Sequence, residues 1–136
     1  MTENDPGPEP VKTSIAPWLS VPDGSRAVEF YKAAFGTVER YRLEDDAGRV
    51  QVAQLAIGPA DSWLQEDPDS SPGEGEGSVR MILTLDDPDS VFRQAVAAGA
   101  TEIAPMYDGQ GWHIGRLADP FGHHWEVGKP LPDSPS

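Results

Sequence analysis

The sequence predicts an α+β protein built from two βαβββ modules. Two observations carry this prediction: the same order of elements occurs twice in 136 residues, and an acidic stretch with no large apolar residue, 66–78, separates the two copies. A single module would leave one face of its sheet uncovered, so two must associate. We therefore expect a disordered leader at 1–13, modules at 14–65 and 79–128, and a tail at 129–136.

The first module begins with a strand at 14–21, whose internal proline favours a sheet edge or a bulge. A helix follows, because apolar residues recur at helical spacing between Arg26 and Phe35. Asp23 or Ser25 can cap its start, and Gly36 can end it. Three strands complete the module, at 38–44, 50–57 and 62–65.

The second module repeats this order. A strand at 79–85 precedes Asp87-Pro88, a strong helix start in which the acid is the cap and proline takes the first helical position. Gly99 ends the helix. Three strands follow, at 101–107, 111–117 and 123–127. The turn before the last strand is Asp119-Pro120-Phe121-Gly122. Proline fixes its own φ, and glycine adopts backbone conformations that other residues resist.

The two halves also align residue by residue. An offset of 64 residues superimposes their first strands and helices. For the last strands, an offset of 62 residues places Trp63 on Trp125. Leu64 then falls on Glu126. This alignment predicts that both tryptophans pack against the helices and that Glu126 faces the opposite side of its strand.

Three motifs carry a resemblance to a known superfamily. They are Ala-Pro-Trp-Leu-Ser-Val at 16–21, Ala-Val-Glu-Phe-Tyr-Lys-Ala-Ala-Phe-Gly at 27–36 and Gly-Arg-Leu-Ala-Asp-Pro-Phe-Gly-His-His-Trp-Glu at 115–126. With the paired modules, they resemble the vicinal oxygen chelate superfamily, which includes glyoxalase I, extradiol dioxygenases, and fosfomycin- and bleomycin-resistance proteins. Its PhnB-like branch is the most similar. The resemblance implies a cup-shaped mixed β-sheet with helices outside, a site on the concave face, and a homodimer.

The resemblance also implies where a metal would bind. Metal-dependent members use four ligands, and the matching positions here fall near Ala16, Leu64, Arg80 and Glu126. Only Glu126 can bind a cation, and Arg80 would repel one. A catalytic ion needs about three or more protein ligands, so we predict no metal cofactor. A shifted alignment that brings in Gln65 or Glu66, or an inward-turned His124, is the route by which a divalent metal could still bind.

Other residues of the cup are candidates for ligand binding. Arg80 and Glu126 are expected to face each other, Arg80 binding a substrate carboxylate and Glu126 acting as catalytic base or anchor, unless they form a purely structural ion pair. His124 shares the strand face of Glu126, whereas His123 is expected to hydrogen-bond locally at the turn. The aromatic candidates Trp18 and Trp112 lie on strands near the expected cup opening, where they either stack on a planar ligand or pack in a dimer. Tyr107, the third aromatic candidate, belongs to a predicted loop at the cup mouth, 107–111.

Composition excludes several function classes. The net charge of −13 repels phosphate backbones, so nucleic acid is not an expected partner. No stretch approaches the roughly 20 apolar residues of a membrane span, and no signal peptide is evident, which favours a cytoplasmic protein. The absence of cysteine removes disulfides and thiolate zinc sites. The acidic excess either confers solubility or attracts a cationic ligand.

Three functions remain open. The first is a bleomycin-resistance-like protein that binds a small organic molecule in the cup without a metal, with a drug-like cation as one candidate ligand. The second is a lyase, isomerase or dioxygenase of the same superfamily, using Glu126 as base or metal ligand. The third is a protein that has lost its chemistry and serves only in assembly. Because one fold hosts many reactions, the choice depends on the geometry of the site.

Overall fold

The computed structural model describes residues 14–70 and 80–132. The predicted leader, residues 71–78 of the predicted linker and residues 133–136 of the predicted tail lie outside these ranges. In the first module, β1 and α1 precede a three-stranded meander, and the sheet order is β1-β4-β3-β2. The elements are β1 Trp18–Val21, α1 Gly24–Phe35, β2 Val38–Glu44, β3 Val50–Ile57 and β4 Ala60–Glu66.

The second module has the same plan, with the sheet order β5-β8-β7-β6. In each sheet the first strand runs parallel to the last, and the other neighbours are antiparallel. The predicted fold, two βαβββ modules with mixed sheets, is thereby confirmed. The elements are β5 Arg80–Thr84, α2 Pro88–Ala98, β6 Thr101–Gly109, β7 Trp112–Ala118 and β8 His124–Pro130.

Both helices begin and end at the predicted residues. The Asp23 carboxylate accepts a hydrogen bond from the Arg26 amide at 3.1 Å, which caps α1. Gly36 ends α1 in the left-handed region, with φ of 68°. In α2 the cap is Asp87, which accepts from the Ser90 amide at 3.2 Å.

Several strand boundaries differ from the prediction. β1 begins at Trp18 rather than at residue 14. β4 continues to Glu66, and β8 continues to Pro130 because pairing with β7 reaches the Trp112–Pro130 pair. β6 reaches Gly109, so Tyr107 lies in a strand, as the predicted strand 101–107 had it, and Asp108 and Gly109 of the predicted mouth loop belong to the same strand. Cross-strand pairing extends these strands through residues with weak strand propensity.

Helix α1 joins the two modules. Phe30, Tyr31 and Phe35 are buried, as predicted for residues between helix and sheet. Their aromatic neighbours come from the second module: the ring centroids of Phe35 and Trp125 lie 4.6 Å apart, and those of Phe30 and Phe121 lie 5.8 Å apart. The core is therefore shared between the modules.

A buried carboxylate fixes the turn between β7 and β8. Asp119 is 5% exposed and accepts hydrogen bonds from the Tyr31 hydroxyl at 2.5 Å and the Trp125 indole at 3.0 Å. It also accepts from the backbone amides of Phe121 at 2.9 Å and His123 at 3.0 Å. Burial, reinforced by Asp119, raises the pKa of Tyr31 well above its usual value, so the phenol keeps its proton and donates.

The His123 ring bonds across the modules. Its Nε2 lies 2.9 Å from the Ser20 carbonyl oxygen, which can only accept, so the ring nitrogen donates. The prediction that His123 caps the turn or hydrogen-bonds locally holds for its backbone amide, which donates to Asp119, but not for its ring. A single sequence does not show that the turn faces β1 of the other module.

The strand register corrects the alignment of the two halves. Leu64 pairs with Leu19, whereas Val127 pairs with Leu83, the equivalent of Leu19. The offset of the last strands is therefore 63, not 62, and Trp63 is equivalent to Glu126. Because side chains alternate along a strand, this error of one residue exchanges the faces.

The corrected register explains the two tryptophans. Trp125 is 5% exposed in the core, as predicted. Trp63 does not pack against the helices: its ring stacks on Trp18 at 6.0 Å and an interplanar angle of 21°, and contacts Tyr41 at 6.1 Å. The prediction of a core position for Trp63 was wrong, since this residue lies on the sheet face that carries the half-exposed Trp18 and Tyr41.

Candidate functional site

The candidate site lies on the face of the second sheet that points away from the helices; we call it the open face. The register places Ile82 beside Glu126 and Glu126 beside Arg116, so side chains from β5, β8 and β7 share this face. Two cavities lie on it, with volumes of about 480 Å³ and about 300 Å³. They share Tyr107, Ile114 and Glu126 in their linings, and are therefore adjacent.

Arg80 and Glu126 meet as predicted. The Arg80 Nε atom lies 2.9 Å from a Glu126 carboxylate oxygen. The side chains are 45% and 20% exposed, so water screens the pair and its net contribution to stability is small, about 0–1 kcal/mol. Both residues line the smaller cavity, and their contact with a ligand stays a prediction.

Arg116 is a site residue that the sequence analysis missed. Its Nη2 atom lies 3.1 Å from Nδ1 of His124. Arginine has no acceptor, so Nδ1 must accept; His124 is therefore uncharged, with its proton on Nε2. Of these two residues, Arg116 lines the smaller cavity, whereas His124 is buried beside it. The strand alternation that placed Glu126 would also have placed Arg116 on this face.

The predicted aromatic residues separate into two groups. Trp112 and the half-exposed Tyr107 line the larger cavity beside Glu126. Trp18, 53% exposed, lies on the first sheet, stacked on Trp63. The structure thus brings together Arg80, Glu126, Tyr107 and Trp112 and places Trp18 elsewhere.

A third cavity of about 350 Å³ lies where β5 approaches the first module. Its lining is mostly apolar and includes Pro17, Ile57, Met81 and Trp125. Arg80 also reaches it, so the edge strand β5 separates this groove from the open face.

The side chains of the site do not fit a divalent metal. Within residues 14–70 and 80–132, no three His, Cys, Asp or Glu side chains are grouped so that they could hold an ion. The corrected register replaces Leu64 by Trp63 at the position equivalent to Glu126, and indole is not a metal ligand.

The alternative metal ligands have other contacts. Glu66 accepts from the Gly24 amide at 3.0 Å and from the Arg49 guanidinium at 2.9 Å. These bonds, the Gly24 amide first, lower the pKa of Glu66. The Gln65 amide donates to the Ser20 hydroxyl at 3.2 Å, and His124 is bonded to Arg116.

The third histidine joins the hairpin of the second sheet to its helix. His113 Nδ1 lies 2.6 Å from Asp108, and Nε2 lies 2.9 Å from Asp89 in the first turn of α2. Carboxylates only accept, so both ring nitrogens donate and the ring is an imidazolium. Asp89, followed by Asp108, raises the pKa of His113. This contact restrains the strand that carries Trp112.

Comparison with known proteins identifies the class of fold. A glyoxalase/bleomycin resistance protein/dioxygenase family enzyme from Burkholderia phytofirmans has the same fold, with a TM-score of 0.68 at 18% identity over 84% of this chain and 95% of that one. TioX from Micromonospora sp. ML1 matches with a TM-score of 0.69 and 26% identity over 88% of this chain and 100% of TioX.

The chain belongs to the glyoxalase-like domain family, whose profile matches residues 18–128. Among curated proteins it is similar to the uncharacterized protein Mb0911c of Mycobacterium bovis, with 36% identity over 131 residues, 89% of this chain and 86% of that protein. In the described part of the chain, neither helix is long and apolar enough to cross a membrane.

Proposed function

We propose that the open face of the second sheet binds a small organic molecule without a metal ion. The observation that carries this proposal is the cavity of about 480 Å³, which places Tyr107 and Trp112 beside Glu126. Cavities of this size that combine aromatic walls with a few polar groups are typical of small-molecule sites. The PhnB-like placement within the family remains a prediction from the motifs at 16–21 and 27–36.

A ligand screen tests this proposal. Planar aromatic compounds, with glycopeptides and planar cationic drugs included, should produce stabilisers in a thermal-shift assay. The stabilisation should be lost in Trp112→Ala and kept in Trp18→Ala, a matched control because Trp18 lies on the other sheet. Binding that depends on Trp18 and ignores Trp112 would place the site elsewhere.

The metal-free part of the proposal has its own test. The resemblance implies that metal-dependent relatives take one metal ligand from the last strand of each half. The two equivalent positions in this chain are Trp63 and Glu126, and Glu126 is paired with Arg80. We expect Mn(II), Ni(II) or Zn(II) to leave the melting temperature unchanged, and EDTA to leave ligand binding unchanged. A stoichiometric divalent ion in natively purified protein would refute this.

A second candidate is a lyase or isomerase that uses Glu126 as base. The Glu126 carboxylate is partly exposed and lines both cavities, so it can reach a proton on a bound molecule. Once a turnover assay exists, Glu126→Gln should abolish the reaction while preserving the fold. Full activity in that variant would remove Glu126 as the base.

We also propose that the protein forms a homodimer. Among the described strands, β1, β2, β5 and β6 lie at the ends of their sheets, and each leaves one edge without a strand partner. Trp18 on β1 and Ile82 on β5 are 53% and 64% exposed. Unprotected edges beside apolar side chains favour pairing with another chain. Light scattering that gives a monomer mass at every concentration would contradict this proposal.

A further inference from the structure

Two guanidinium groups converge on the smaller cavity of the open face. Arg80 comes from the edge strand β5 and Arg116 from β7, and β8 lies between them with Glu126. Glu126 is the register partner of Arg116 and is paired with Arg80 at 2.9 Å. Both arginines therefore line the same space of about 300 Å³.

Among the described residues that line this cavity, positive side chains outnumber negative ones, although the chain is acidic. The chain as a whole has a net charge of −13. Among the described residues that line the smaller cavity, the charged side chains are two arginines and one glutamate. His124 adds no positive charge, since its Nδ1 accepts a hydrogen bond from Arg116. The net negative charge of the chain therefore does not by itself predict the charge of the ligand at this cavity.

Guanidinium groups select the ligand by geometry as well as by charge. Their planar fork of donors matches the two oxygens of a carboxylate, and such charge-assisted bonds are about twice as strong as neutral ones. A cation placed here would be repelled by both arginines. The cation that the overall charge suggested is therefore disfavoured on this face.

The adjoining cavity defines the rest of the ligand. Tyr107 and Ile114 line both cavities, and Trp112 lines the larger one. A molecule with its acid group at the arginines would extend its body along these apolar walls. The geometry points to a planar aromatic monocarboxylic acid as the ligand class, with Arg80 and Arg116 as its specificity-determining residues. This inference rests on the proposed function, since it names the ligand class of the same site.

Three matched compounds test the inference. Naphthoate, naphthamide and naphthylmethylammonium share a planar body and differ in charge. Their binding is followed through the Trp112 indole N–H signal in NMR titrations. Naphthoate should bind about tenfold or more tightly than naphthamide, and the ammonium compound should bind more weakly than the amide.

Variants that each remove one positive charge test which residues cause the preference for naphthoate. Arg80→Gln and Arg116→Gln should each reduce the preference for naphthoate over naphthamide to about threefold or less, with the affinity for the amide retained. Arg40→Gln is the matched control, because Arg40 lies exposed on the first sheet, paired with Asp61. Arg80→Gln is expected to fold normally because Arg80 is half-exposed. It therefore still tests the inference if Arg116→Gln, at a more buried position, does not fold.

The outcomes separate this inference from the proposed function. Equal affinities for naphthoate and naphthamide at Trp112 would overturn the ligand class and leave the binding function standing. A preference that survives Arg80→Gln and Arg116→Gln would also overturn it. If none of the three compounds perturbs Trp112 in the millimolar range, the ligand class is refuted, and the thermal-shift screen with Trp112→Ala decides the binding function separately.

Discussion

On the open face of the first sheet, Trp63 stacks on Trp18 with ring centroids 6.0 Å apart; at the equivalent position of the second sheet, Glu126 pairs with Arg80 at 2.9 Å. The backbone pairing is the same in both modules, yet one face is aromatic and the other charged. Neither arrangement is needed to pack the helices. The open faces can therefore differ in chemistry while the fold stays the same.

The faces toward the helices differ in another way. Gly115 on β7 lies under Phe92 of α2, and a Cβ there would lie 2.8 Å from the Phe92 ring and 2.7 Å from Met106 Sδ. The equivalent residues of the first module, by register and helix position, are Ala53 and Val28, both fully buried. A large residue faces glycine in one module, and two medium ones take the same positions in the other. In the second module the absent side chain of Gly115 makes room for the large ring of Phe92.

The largest predicted effect concerns the β7–β8 turn. Asp119→Ala would leave the Tyr31 hydroxyl, the Trp125 indole and two backbone amides without their buried acceptor. Each orphaned donor costs about 1–3 kcal/mol, though not additively, so we expect the free energy of unfolding to fall by about 3–5 kcal/mol. Urea denaturation followed by circular dichroism measures the change.

The control comes from the corresponding region of the first module. Asp61 follows the β3–β4 turn, and its carboxylate pairs with the half-exposed Arg40 at 3.3 Å. Asp61→Ala should cost about 1 kcal/mol or less. Equal losses in the two variants would show that the second turn has no special role in joining the modules.

A second prediction tests whether Gly115 compensates for the size of Phe92. Gly115→Ala should lower the free energy of unfolding by about 1–3 kcal/mol, because the added methyl group overlaps Phe92 and Met106. Combining it with Phe92→Val recreates the side chains of the first module, Ala53 and Val28. The double variant should be less destabilised than the sum of the single variants. Strict additivity in urea denaturation would contradict the proposed compensation.

The fold could be predicted from the sequence because local signals agreed with one another. Asp23, Gly36 and Asp87 mark helix ends by mechanisms confined to a few residues, and each is confirmed. The repeated order of elements then fixed the architecture. Strand ends were less predictable, since pairing with a neighbour extended β8 to Pro130.

The site was only partly predictable, because it depends on register. The Arg80–Glu126 pair was expected, and the structure shows it. Trp63 was assigned to the wrong face by an alignment error of one residue, which is enough to reverse every side chain of a strand. Arg116 was missed although it lies in the motif at 115–126, because its bond to His124 joins neighbouring strands whose register the sequence does not show. Which side chains line a cavity is decided by tertiary packing.

The smallest predicted effect concerns two equivalent contacts, each of which joins the helix of one module to the hairpin of the same module. In the first module the Ser25 hydroxyl of α1 accepts from the Val50 amide at 3.1 Å, a bond with no titratable group. The equivalent residue of α2, Asp89, bonds to His113, which also bonds to Asp108. Of these two contacts, only the one in the second module contains a titratable group. His113→Gln places there the residue found at the equivalent position of the first module, Gln51.

The pKa of His113 is raised in the folded protein, so folding favours the protonated ring. The stability gained over His113→Gln should be complete below the unfolded pKa of about 6.5 and should vanish as the pH rises through the higher folded value. His123 and His124 are present in both proteins and largely cancel in the difference. Ser25→Ala, measured as a control, should cost the same at every pH from 5 to 9, within about 0.5 kcal/mol. A His113→Gln difference that grows with pH would mean that the neutral ring makes the contact, and the two links would then be alike in kind.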